Sequence, residues 1–112
     1  MDTTSLTSLA DEHLQTAKNA ASGRSSHTIY GGQEHHLRQT LIALAAGQTM
    51  SEHESPGEAT LQVLRGRVAL VSTGDSSEGA AGDFLVIPSG RHSVDAIADS
   101  AILLTVAMSL GD

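Results

Sequence analysis

The sequence predicts a single all-β domain of the sandwich or barrel class, preceded by one short helix. Three observations carry this reading. From residue 25 onward the apolar residues form short runs of β type, the runs are separated by Gly, Pro, Asp and Ser, and a helical period is confined to the N-terminus. Many short strands at such spacing, linked by glycine-rich turns, close into a sandwich or a barrel.

The helix is read from Leu6, Leu9, Ala10, Leu14, Ala17 and Ala21, which recur at close to helical spacing. Ser8 with Asp11 three places on gives a start signal, and Ser22-Gly23 gives a stop. Such a stripe packs against the barrel or a partner subunit. The organisation expected is residues 1–24 as helix and arm, and residues 25–112 as one barrel domain.

The first strand is SHTIYGG, ending in a Gly-Gly turn. The next, LRQTLIALAAG, is apolar on both faces near Leu41 to Leu44 and is expected to be buried on both sides. ATLQVLRGRVALVSTGD reads as two strands around Arg65-Gly66-Arg67, stopped by Gly74-Asp75. GDFLVIPSGRHSVDAIADSAILLTVAM supplies three more, broken at Pro88 to Gly90 and at Ala98 to Ser100.

Composition narrows the function. At 112 residues the chain holds one core, so any site is built into that one unit. Six Lys plus Arg against thirteen Asp plus Glu, a formal charge of -7, argue against a nucleic-acid backbone or an anionic membrane as partner. Tyr30 and Phe84 are the only aromatic residues, so the core comes from Leu, Val, Ile and Ala. The absence of cysteine rules out disulfides, thiolate ligands and a Cys nucleophile, and makes a reducing cytoplasm the expected compartment.

Two stretches carry candidate chemistry. The first runs from Gly47 through His53, Ser55 and Ala59 to the VLRG that ends on Gly66. The second contains Gly82, Pro88, Gly90 and His92. Together they resemble the paired motifs of the cupin superfamily, over roughly Leu37 to Met108. The short connection, Arg67 to Ala81, is similar to that of compact microbial single-domain cupins. The resemblance implies a jelly-roll β-barrel, a double-stranded β-helix.

It also implies a divalent metal, iron, manganese, nickel, copper or zinc, held by imidazoles and one carboxylate. Here the sequence departs from the pattern. Ser55 stands at the second His and Ala59 at the Glu, His92 comes one residue early, and Ala96 stands where Asn is expected. Ser is a weak neutral donor and Ala has none. If the strand runs on unbroken, His53, Ser55 and Ala59 share a parity and enter the barrel together, with Glu54, Glu58 and Gln62 outward. His53 and His92 remain as a two-imidazole pair, and His35-His36 stands where it can reach one mouth of the barrel.

The reading that follows is a small-molecule pocket around His53, Ser55, Ala59, Leu61, Val63, Ile87 and His92. A metal-dependent enzyme of oxygenase or isomerase type, with His53 and His92 as its ligands, is the alternative. An interaction module built on the helix and a sheet edge is the third, and a homodimer fits all of them. Whether a reaction is catalysed is left open. His13, His27, His35 and His36 are expected in solvent.

Overall fold

The computed structural model describes the main chain of residues 1–54 and 57–107, and the side chains of all of these except residues 51–54. Among these residues one helix, α1 (Leu6–Asn19), leads into nine strands: β1 (Arg24–Tyr30), β2 (Leu37–Leu44), β3 (Thr49–Glu54), β4 (Ala59–Arg65), β5 (Arg67–Ser72), β6 (Asp75–Ala80), β7 (Phe84–Ile87), β8 (Arg91–Ala96) and β9 (Ser100–Ala107). The strands form two antiparallel sheets, ordered β1-β2-β9-β4-β7 and β3-β8-β5-β6. Their inner faces meet in one apolar core, so the all-β class and the jelly roll both hold.

The core follows from alternation along the strands. Ala59, Leu61 and Val63 of β4 point inward while Gln62 is exposed. They meet Val68 and Leu70 of β5, Val94 of β8, Ile102 and Val106 of β9, and Ile87 of β7. Glycine eases the packing at one edge of this core. A Cβ at Gly79 of β6 would stand 2.7 Å from Leu85 Cδ1 and 3.4 Å from Val63 Cγ2, so the bare backbone leaves room for the Leu85 methyl, which would otherwise have to turn aside.

β2 is buried on both faces, as its sequence predicts, because α1 lies across the outside of its sheet. Ile42 faces the main core, whereas Leu41 joins Ala10 of α1 and Ala101 of β9 in a second cluster, flanked by Leu9, Ile29 and Leu64. Ala10 and Ala17 are fully buried, and their small side chains let the helix lie close to the sheet. The helix thus packs on its own barrel.

Its boundaries differ from the predicted ones. Ser5 is the N-cap, its Oγ accepting from the Ser8 N–H at 3.2 Å, because Leu6 already lies in the apolar stripe and the cap must precede it. The helix ends at Asn19, two residues short of Ala21, where Ala20 turns extended.

Two further strands depart from the sequence reading. β6, DSSEGA, has almost no apolar content and was not expected as a strand. It forms because the two residues after Ser72 make a tight turn, with Gly74 at φ 73°, that folds it back along β5. β3 and β4 belong to different sheets, so the chain does not run from His53 to Ala59 as one strand, and parity does not carry across the break. A register shift between Met50 and His53 moves the pairing again. No described helix is long and apolar enough to cross a membrane.

Candidate functional site

The β3-β8-β5-β6 sheet sets chemically active residues in one row. His53 pairs with His92, His92 with Ser72, and Ser72 with Asp75, each as direct cross-strand partners. Deeper in the barrel the next row is Met50, Val94, Leu70 and Ser77. Direct partners in an antiparallel ladder share a face. Because Val94 and Leu70 face the core, His92, Ser72 and Asp75 share that inner face two residues further along. His53 holds the register position opposite His92. The extra residue between Met50 and His53 creates that pairing, since β8 advances only two residues between the same partners.

The opposite sheet contributes a second row. Arg38 pairs with Val106, Val106 with Ala59, and Ala59 with Ile87. β4 and β5 are joined at Gly66, so the start of β4 and the end of β5 lie together at the other end of the barrel. The Arg38 row and the His92 row are therefore the two lips of one mouth.

His92 is 2% exposed, and its Nδ1 lies 3.4 Å from the Gly90 carbonyl. Two concavities flank the mouth. One, of about 430 Å³, lies between β6 and β7 and is lined by Leu70, Ser72, Asp75, Ser77, Leu85 and Pro88 among others. The other, of about 710 Å³, lies mainly on the outer face of the larger sheet, lined by Leu37, Thr60, Val86, Thr105 and Ala107, and reaches Ala59 and Ile87 at the strand ends.

The residues singled out from the sequence fall into four groups. His92 and the backbone of His53 meet in the ladder. Ala59 and Ile87 line the larger concavity. Leu61 and Val63 are fully buried core residues and line neither concavity. Ser55 lies outside the described residues. Sequence reading missed Ser72, Asp75 and Arg38. The signal for Arg38 was its even spacing from Ile42, which sets both on one face, and only the register of β2 on β9 turns that into a place at the mouth.

Of the other histidines, His27, His35 and His36 are exposed, as expected, and His13 is half-buried. His13 is not simply in solvent: its Nδ1 is 2.7 Å from Ser25 Oγ, and its ring stacks on His27 with centroids 5.6 Å apart. This pair joins α1 to β1. His35 lies in the β1–β2 loop with its ring edge-on to Tyr30 at 5.0 Å.

Known structures share this arrangement. An RmlC-like cupin from Desulfovibrio desulfuricans superposes with a TM-score of 0.66 and 26% identity, over 75% of this chain and 81% of that one. The chain has the cupin fold. A conserved protein of unknown function from Streptococcus pyogenes matches with a TM-score of 0.71 and 27% identity, over 80% of this chain and 78% of that one. Salicylate 1,2-dioxygenase from Pseudaminobacter salicylatoxidans gives a TM-score of 0.72 at 20% identity, over 89% of this chain but 33% of the dioxygenase, a likeness of fold. No protein-family model matches the sequence. No curated protein matches it either.

Among the described residues, the donors do not make up the metal site that a cupin resemblance implies. Ala59, at the carboxylate position, presents a buried methyl group from β4. Among the described residues no three His, Asp, Glu or Cys side chains come together. Asp75, the carboxylate in the His92 row, is exposed and accepts a hydrogen bond from the Ser76 N–H at 2.8 Å. It stands two strands from His92, roughly 10 Å between backbones at the usual strand spacing, with Ser72 between.

Proposed function

We propose that this protein binds a small organic molecule at the mouth of the barrel, with His92, Ser72 and His53 as its polar contacts. One observation carries the reading: the ladder brings His53, His92, Ser72 and Asp75 into a single row at one end of the barrel, with Ser72 and Asp75 lining a concavity there. Small-ligand sites are concave and carry a few placed polar groups, and the concavity beside this row sets Ser72, Asp75, Ser76, Ser77 and Glu78 beside Leu70 and Leu85. Ser72 is common to the row and to the concavity lined by Leu70 and Leu85.

The test is a saturation-transfer NMR screen with small aromatic acids, alcohols and amines, repeated on His92→Gln and Ser72→Leu variants. Binding by the wild type that weakens at least about fivefold in both variants, about 1 kcal/mol each, is the expected result. Binding that both variants leave unchanged contradicts it.

The metal-dependent alternative rests on the His53 and His92 pairing alone. Protein purified without a polyhistidine tag is expected to carry far less than one equivalent of iron, manganese, nickel, copper or zinc. Stoichiometric metal that disappears in a His53→Ala, His92→Ala double variant would establish that alternative.

A second reading concerns a homodimer. α1 covers only part of the outer face of its sheet. The remainder carries Leu37, Gln39, Thr60, Gln62, Phe84, Val86, Thr105 and Ala107, none of them charged, with Phe84 63% and Val86 68% exposed. Two copies that each carry a charge of -7 meet at least electrostatic cost through an uncharged face. We infer that a second copy of the chain covers it.

A further inference from the structure

We propose that Arg38 anchors an acidic group and that the ligand of the barrel mouth is a small organic carboxylate. This rests on the reading of the mouth as a ligand site and names the chemistry of its occupant.

Register places Arg38 on the inner face. It pairs with Val106, a core residue, and shares the parity of Ile42, which packs on the same core. Within the two lip rows, Arg38, Val106, Ala59 and Ile87 on one side and His53, His92, Ser72 and Asp75 on the other, it is the one Arg or Lys.

Other arginines of the chain are committed to neighbours. Arg24 donates to the Thr49 carbonyl at 3.1 Å, Arg65 to Asp11 at 3.1 Å, and Arg67 to Glu78 at 3.1 Å. Among the described residues no carboxylate stands within ion-pair distance of the Arg38 guanidinium. A guanidinium presents a planar fork that matches a carboxylate through two parallel hydrogen bonds.

The carboxylate of Asp75 does not cancel this charge. Asp75 lies on β6, an edge strand joined by a short turn to β7, and three strand spacings separate β2 from β7 within its own sheet. That is roughly 14 Å of lateral distance, beyond the ~8 Å screening length at physiological salt. A small ligand at the mouth thus has a defined orientation, with its acid on Arg38 and its remaining body toward Val106 and Ala59, the next residues of that row. Glu34 and Glu58 also belong to segments at this end, which makes the preference for an acid depend on direct contact with Arg38 rather than on a broad positive field.

The probes are benzoate and benzyl alcohol, nearly equal in shape and different in charge, titrated by calorimetry. Benzoate is expected to bind the wild type about 10- to 100-fold more tightly than benzyl alcohol. Arg38→Gln removes that advantage and leaves benzyl alcohol unchanged, Arg38→Lys keeps part of it, and added salt weakens benzoate alone. Benzoate no tighter than benzyl alcohol in the wild type, or unchanged in Arg38→Gln, overturns the role of Arg38 and leaves the pocket standing. Failure of both probes to bind counts against the pocket, and the assignment of Arg38 falls with it.

Discussion

At the scale of single residues, two glycines with similar backbones make opposite demands. Gly66, at φ 79°, turns β4 into β5, and a Cβ there would collide with the Asp99 carbonyl and Ser100. Gly74, at φ 73°, turns β5 into β6 in open space. Gly66→Ala is expected to cost about 3 kcal/mol, and Gly74→Ala about 1 kcal/mol, the second being the conformational penalty alone. Urea denaturation of both variants checks the difference, and equal losses would contradict it. Ser100 fixes the same corner. Its buried hydroxyl donates to the Ala98 carbonyl at 2.7 Å, lies 3.0 Å from the Arg67 carbonyl, and accepts from the Arg67 N–H at 3.1 Å. Ser100→Ala should therefore cost about 1–3 kcal/mol by the same assay.

At the scale of elements, α1 is held by contacts that tolerate no bulk or charge. Ala10 is fully buried against Leu41 and Ala101, so Ala10→Glu is expected to lose roughly 2–4 kcal/mol. Hydrogen exchange would show early loss of protection in α1 and β2, with β5 and β8 protected longest. Uniform loss across all strands would instead make α1 part of one cooperative unit.

Sequence alone reached much of this architecture. The two-faced run Leu41 to Leu44 gave away the buried β2, and Gly47, Gly66, Gly82 and Pro88 fixed the turns. It did not reach β6, because the apolar signal of a strand comes from burial, and this edge strand buries only Gly79 and part of Ala80. Nor did it reach the pairing of His53 with His92 through parity, because a bulge and a change of sheet intervene and neither leaves a periodic trace. Arg38 was invisible for a related reason. Its position depends on which strand β2 pairs with, a long-range fact.

At the scale of the whole molecule, the two faces of the larger sheet divide the roles: the inner face supplies one lip of the mouth, and the uncovered outer face carries the proposed dimer contact. Sedimentation velocity at about 100 µM is expected to show a dimer, which a contact no weaker than micromolar sustains. Val86→Glu should convert it to a monomer, while Ile97→Glu, an equally drastic change at an exposed residue of the β8–β9 turn, should not. A monomeric wild type, or a dimer that survives Val86→Glu, would refute the interface. A monomer that dimerises only after removal of residues 108–112 would assign the face to that segment instead.

The most direct test of the account is a chemical-shift map of benzoate binding on isotopically labelled full-length protein. Ligand at the mouth predicts that the largest amide shifts fall on Arg38, Ala59, Ser72, His92 and their neighbours at that end of the barrel. Shifts confined to Leu37, Thr60, Val86 and Thr105 on the outer face, or no shift at all, would contradict it.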